Sequence, residues 1–193
     1  QKCTASSRLI VMDGIHDTFV EAVVARMKTL KVGHALEHGI FMGPIVDDKQ
    51  LASNLSWIEK AKQAGANLAF GGERLSMPHD GYYMSPTLFT ETDNSWDINQ
   101  EEVFAPLACV MRVSSLEEAI AMTNDTRFGL TGGIITQSLR NSAMFKEQVQ
   151  AGCVMVNLAT AGTDYHVPFG GRKESSFGPR EQGQYAKEFY TIV

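Results

Sequence analysis

The chain has 193 residues, 44% of them hydrophobic and 20% charged, with a net charge of −5 and a sequence pI of about 5.5. That is an ordinary globular composition, long enough to bury a core, and its acidic balance offers no surface for nucleic acid or an anionic membrane. No apolar run reaches the ~18 residues needed to cross a bilayer, and three cysteines with nine methionines point to a reducing, cytoplasmic setting rather than a disulfide framework.

The chain opens on "QKCTASSR", with no element ahead of the first strand-like run, and is read as part of a longer polypeptide. "RLIVM" (8–12) is rich in β-branched residues and predicts a strand. "HDTFVEAVVARMKTL" follows, with Phe19, Val20, Val23, Val24, Met27 and Leu30 on one helical stripe and Gly33 as its stop. "GPIVDDKQLASNLSWIEKAKQAG" repeats the design, with an acidic first turn, Leu51, Leu55, Ile58 and Ala61 at helical spacing, and Gly65 as the stop. "NLAFGG" reads as strand into turn, and "GYYMSPTLFTE" as extended, because Pro86 opposes helix.

"PLACVMRV", apolar apart from Arg112, predicts a buried strand, followed by a helix "SLEEAIAMTND" opened by Ser114 or Ser115. Strand "TGGIITQ", helix "SLRNSAMFKEQV" and strand "CVMVN" come next, then a glycine-rich loop (158–180) and a last helix in "EQGQYAKEFY". Strands without inward–outward alternation, separated by amphipathic helices, predict an α/β fold. The expected form is an open, doubly wound, mostly parallel sheet with helices on both faces.

Four stretches are candidates for chemistry. Cys3 lies among small polar residues beside Lys2, and "TASSR" can open a short helical turn; a cation and a helix N-terminus both favour the thiolate that does nucleophilic work. An idle exposed cysteine explains the stretch equally well. "HALEH" (34–38) matches the H-x-x-E-H pattern of inverted zinc peptidases, but Gly33, Gly39 and Pro44 leave no room for the helix such a site needs, so a polar loop is the better reading and no metal is expected. "NQEEVFAP" offers two carboxylates and an aromatic ring before an apolar strand. They are able to bind a sugar hydroxyl and pack on a flat ring, or simply to form a solvated turn. "VPFGGRKESSFGPREQG" allows close backbone approach and a pocket wall at Phe169, without the context of a dinucleotide or phosphate fingerprint.

Three of these stretches, together with "GPIVDDKQ" and in this chain order, resemble the catalytic domain of the NAD(P)-dependent aldehyde dehydrogenase superfamily. The family pattern G-Q-x-C is met by "QKC", G-P-x-V with a following glutamine by "GPIVDDKQ", E-E-x-F-G-P by "EEVFAP" with Ala105 for glycine, and P-F-G-G-x-K-x-S by "PFGGRKES" with Ser176 where glycine is commoner. The resemblance implies that Cys3 is the catalytic nucleophile, with its own N–H an oxyanion donor. It implies that Glu102 and Gln50 approach the nicotinamide-side ribose of NAD or NADP, with Phe104 against the nicotinamide end. Lys2, Thr4 and Phe169 would line the pocket for a small aldehyde. The general-base glutamate, the oxyanion asparagine and the dinucleotide-binding domain of the family precede the cysteine. Residues 1–193 are therefore expected to be the catalytic portion of a longer, homo-oligomeric enzyme, inactive alone.

The loop "AGTDYHVPFGGRKESSFGPREQG" is most similar to the branch oxidising α-ketoglutarate semialdehyde (2,5-dioxopentanoate) and related ω-oxo acids, with Arg172 and Arg180 as candidate cations for an anionic substrate. Two rivals stay open. One is a thiol hydrolase, for which His166 is the best-placed base; the other is a non-catalytic scaffold.

Overall fold

The structure, a computed structural model, describes residues 1–192. They form two compact units, one of Gln1 and Ser7–Val113, the other of Lys2–Ser6 with Ser114 onward.

The first unit is built on a four-stranded sheet of β1 (Arg8–Met12), β2 (Asn67–Phe70), β3 (Thr87–Thr90) and β4 (Leu107–Val113), in the order β1-β4-β3-β2. β4 runs parallel to β1, pairing Arg8 with Cys109 through Met12 with Val113, and parallel to β3, pairing Thr87 with Leu107. β2 is an antiparallel edge whose register shifts between Leu68 and Phe70.

Two helices cover this sheet, α1 (His16–Met27) and α2 (Asp48–Gln63). Neighbouring residues of a strand point to opposite faces. Leu88 and Val110 pack with Phe19, Val20, Val23 and Val24 of α1, whereas Phe89 and Cys109 pack with Leu51, Ile58 and Ala61 of α2. The two helices therefore take opposite faces, which is why β3 is buried along its whole length. The expected double winding is realised here.

Helix α1 stops at Met27 and its stripe continues as turns to Leu30, short of Gly33. Asp47 caps α2 by accepting the Gln50 N–H at 2.7 Å, and Gly65 ends it at a φ of +101°. A one-turn helix, α3 (Asp97–Gln100), is an element the sequence reading lacks.

The second unit holds a parallel pair, β5 (Thr131–Ile134) and β6 (Cys153–Val156), a sheet distinct from the first. Helices α4 (Leu116–Asn124) and α5 (Leu139–Gln148) bury Ile120 and Phe145 against Val149, Ala151, Ile134 and Val154. Ser115, rather than Ser114, caps α4 by accepting the Glu118 N–H at 3.1 Å, and the Glu118 carboxylate accepts in turn from the Ser114 N–H and hydroxyl. The expected last helix is divided. Gln182, at a φ of +62° that no helix interior permits, keeps Glu181 and Gln182 outside it, and a 3₁₀ turn at Gly183–Tyr185 leads into α6 (Ala186–Tyr190).

Candidate active site

In the first unit, two of the family-like stretches meet. Gln50 lies on the first turn of α2, where its backbone serves the Asp47 cap and its side chain is left to reach elsewhere. Its Nε2 donates to Asn54 Oδ1 at 2.7 Å and to the Val103 carbonyl at 3.4 Å. Val103 stands between Glu102 and Phe104, so this amide pins the "EEVF" segment to the helix.

Asn54, fully buried one turn along, uses Nδ2 on the Met84 sulfur at 3.5 Å. Phe104 then adopts a φ of +57°, a region rare for a bulky residue and held only by its surroundings. Val103 N–H to Glu101 (3.1 Å) and Leu107 N–H to Ala105 (2.8 Å) brace it on both sides. The ring is left 46% exposed, and the Glu102 side chain is exposed as well. Because the left-handed residue is Phe104 and not its successor, alanine fits at 105 where the family pattern has glycine.

In the second unit, Cys3 is the exposed cysteine and Cys109 and Cys153 are buried. Burial pushes the Cys109 thiol up to about 12, with a hydrogen bond involving Thr92 pulling weakly the other way, so it stays an inert core group. The Cys153 Sγ faces the Gly170 carbonyl at 3.7 Å.

Cys3 lies on a single reverse turn closed by Ala5 N–H to Lys2 C=O at 2.9 Å. No helix forms there, so the expected helix-terminus field has no source. The reason lies in the tertiary contacts of the turn: Thr4 is buried, and its carbonyl accepts from Thr160 Oγ1 at 2.7 Å, a demand that a continuing helix would compete with. Lys2 is exposed.

Phe169 exchanges two backbone hydrogen bonds with Glu181, at 2.7 and 2.8 Å, which closes the glycine-rich loop into a strap. Gly170 sits against Gly152 so closely that no Cβ fits at 152. Ser176, in place of the commoner glycine, accepts the Gly171 N–H at 2.5 Å and so adds a stitch to the strap. Arg180 donates to the Gly170 carbonyl and serves the strap; Arg172 has an exposed side chain. His166 is exposed, with the Tyr165 ring edge-on at 5.6 Å.

The "HALEH" stretch forms turns rather than a helix, as its glycines predict, with Glu37 bonded to His79 at 3.0 Å. Among the described residues no group of three His, Cys, Asp or Glu is placed to hold a metal, and no helix is long and apolar enough to cross a membrane. Two surface hollows, about 730 Å³ along Arg74–Tyr82 and about 340 Å³ between Trp57 and Trp96, include none of the candidate residues.

A profile described as the aldehyde dehydrogenase family matches residues 1–193. The chain belongs to that family. Among curated relatives, the α-ketoglutaric semialdehyde dehydrogenase of Bacillus subtilis (strain 168) is 42% identical over 195 residues, covering 100% of this chain and 40% of its own length. The α-ketoglutarate semialdehyde dehydrogenase of Haloferax volcanii is likewise 42% identical, over the same shares. Among solved structures, the NAD⁺ complex of an aldehyde dehydrogenase from Bacillus cereus superposes with a TM-score of 0.94 at 36% identity, covering 100% of this chain and 38% of that one. The chain thus spans about two-fifths of the length of the family members it matches.

Sequence reading passed over Asn54, Ser6 and Thr160. Asn54 carries a weak local signal, a polar residue on the apolar stripe of α2 one turn after Gln50. Thr160 carries none, since its partner lies 156 residues away.

Proposed function

We propose that residues 1–193 are the nucleophile-bearing portion of a longer dehydrogenase that oxidises an aldehyde to a carboxylic acid. The observation that carries this is the exposure of Cys3 on a tethered turn while both other thiols are buried. In this reading the Cys3 thiolate adds to the aldehyde carbonyl, forming a C–S bond. The resulting oxyanion is met by the Cys3 N–H, a donor fixed before charge develops. Loss of hydride from the thiohemiacetal leaves a thioester, and water then adds to release the acid and the thiol. NAD or NADP, when bound, supplies the acceptor for that hydride.

The residues present suit one end of such a cofactor. The half-exposed Phe104 ring offers a flat apolar face, the exposed Glu102 carboxylate accepts from ribose hydroxyls, and Gln50 holds the segment carrying both. Lys2, Thr4 and Phe169 complete the substrate side, with Thr4 acting from a buried position. General base, side-chain oxyanion donor and adenine site are assigned to residues outside this chain, which alone is expected to be inactive; the full enzyme is expected to be a homo-oligomer.

For substrate we infer α-ketoglutarate semialdehyde or another ω-oxo acid. The two semialdehyde dehydrogenases at 42% identity support it, and of the two loop arginines Arg172, with Arg180 committed to Gly170, is the one free to meet a distal carboxylate. The test is steady-state NAD reduction by the longer polypeptide, its Cys3→Ala variant and residues 1–193 alone, across semialdehydes and short neutral aldehydes. Turnover by the isolated chain, retained turnover without Cys3, or equal efficiency on a neutral aldehyde would each overturn the corresponding part.

A further inference from the structure

The turn bearing Cys3 is held by one peptide unit gripped at both ends. The Ala5 N–H donates to Lys2 C=O at 2.9 Å, closing the turn. The carbonyl of the same peptide, belonging to Thr4, accepts from Thr160 Oγ1 at 2.7 Å. A hydroxyl has one proton, so Thr160, whose proton is committed to Thr4, accepts from the Ser6 hydroxyl at 3.0 Å. The result is a short relay, Ser6 to Thr160 to the Thr4 carbonyl, in which each bond polarises the next.

The far end of the relay is rigid. Asn157, at a φ of +58°, ties the exit of β6 to the end of β5: its N–H bonds Ile134 C=O, its Oδ1 accepts the Thr136 N–H at 2.8 Å, and its Nδ2 donates to Thr136 C=O at 2.9 Å. Three residues on, the Thr160 methyl fits against Gly133 of β5, where an added Cβ would meet it at 3.0 Å. Thr160 therefore presents its hydroxyl from a fixed corner. Fixing both ends of the Thr4–Ala5 peptide fixes the two central residues of the turn, and Cys3 is the first of them. The directions of its N–H and Cα–Cβ bonds follow, which narrows where the sulfur can sit.

We propose that Thr160 is a positioning residue for the nucleophile, its hydroxyl orienting the turn so that the Cys3 sulfur and the Cys3 N–H act together on one carbonyl. This rests on the reading of Cys3 as nucleophile. It predicts that Thr160 matters for addition to a carbonyl, where an oxyanion develops, and little for simple displacement, where none does.

Two probes on this chain separate those reactions. With p-nitrophenyl acetate, the Cys3 thiolate adds to the carbonyl, the C–O bond breaks, p-nitrophenolate leaves and an acetyl thioester remains. With iodoacetamide, an S–C bond forms and iodide leaves, with no oxyanion. Thr160→Val keeps the shape and removes the hydroxyl. It is expected to slow acylation about fivefold while changing alkylation less than about twofold. Thr160→Ser is expected to restore acylation, and Ser6→Ala to lower it in the same direction by a smaller factor.

Unchanged acylation in Thr160→Val, an equal fall in both reactions, or no recovery in Thr160→Ser overturns the proposal. If circular dichroism shows Thr160→Val unfolded, Ser6→Ala and Thr160→Ser decide by the same ratio. Cys3→Ala, expected to abolish both signals, confirms which thiol is read. Aldehyde oxidation surviving Cys3→Ala in the longer polypeptide would remove the reading of Cys3 as the nucleophile of that reaction, while the acylation-to-alkylation ratio still judges whether Thr160 orients the Cys3 turn.

Discussion

Replacing Gln50 tests whether one side-chain amide secures the segment that presents Glu102 and Phe104. Asn54 Oδ1 is fully buried and takes its hydrogen bond from Gln50 Nε2 at 2.7 Å. Gln50→Leu leaves that acceptor with no donor and no water, which costs about 1–3 kcal/mol. The Asp47 cap uses the Gln50 backbone and survives the change, so the loss is not one of helix initiation. Rotation of the Asn54 amide brings no relief, because it withdraws Nδ2 from Met84.

Gln50→Glu separates this mechanism from a general packing defect. An ionised carboxylate there faces two acceptors, Asn54 Oδ1 and the Val103 carbonyl, whereas a protonated carboxyl restores one donor. The folded state therefore favours the protonated form and raises the introduced group above its unfolded pKa of about 4.3. The extra destabilisation is absent below that value and grows as pH rises through the folded pKa. Urea unfolding followed by circular dichroism, with wild type subtracted at each pH, should show Gln50→Leu costing the same at about pH 4 and about pH 7. Gln50→Glu should cost distinctly more at about pH 7. A Gln50→Leu cost below about 0.5 kcal/mol, or a pH-independent Gln50→Glu, refutes the reasoning.

Iodoacetamide at neutral pH should label one thiol per native chain, Cys3, and all three after urea, since Cys109 and Cys153 are buried; mass spectrometry of the peptides reads this directly. Phe89→Ala empties a fully buried site at the centre of the first sheet and should cost about 3–5 kcal/mol in chemical denaturation, against under about 0.5 for Lys49→Ala on the exposed face of α2. Ser115→Ala removes the cap of α4 and should cost about 1 kcal/mol. The His16 ring and Arg112 hold Asp17 below the usual carboxylate range, and the Ser114 N–H and hydroxyl do the same for Glu118. Their stabilisation is present above the unfolded carboxylate pKa values and is lost as pH falls below them. Asp17→Asn should accordingly flatten the acid side of the stability profile, more visibly at low salt because Asp17 is exposed.

Much of this architecture is written in local pattern. The β-branched run at 8–12, the 3.6-residue stripes of α1 and α2, and the apolar 107–113 segment each state their element alone, because burial of a stripe or a strand face is a short-range constraint on residue type. Ala105 and Ser176 show where pattern ends. As departures from a motif they look like doubts, yet the backbone places its left-handed residue at Phe104 and gives the Ser176 hydroxyl the Gly171 N–H.

The sequence by itself determined most of the elements, though not α3 or the division of the last helix, together with their alternation and the family, since periodicity and ordered motifs survive without three-dimensional information. Only the tertiary structure decided that β5 and β6 pair apart from the four-stranded sheet, that β2 runs antiparallel at its edge, and that α1 and α2 take opposite faces. It also decided the partners of the polar groups. Gln50 meets Val103 across 53 residues and Thr160 meets Thr4 across 156, and hydrogen bonds between residues so far apart leave no periodicity to read. Their energy comes from satisfying backbone groups that folding withdraws in part from water, and which groups those are is settled only when the chain has folded.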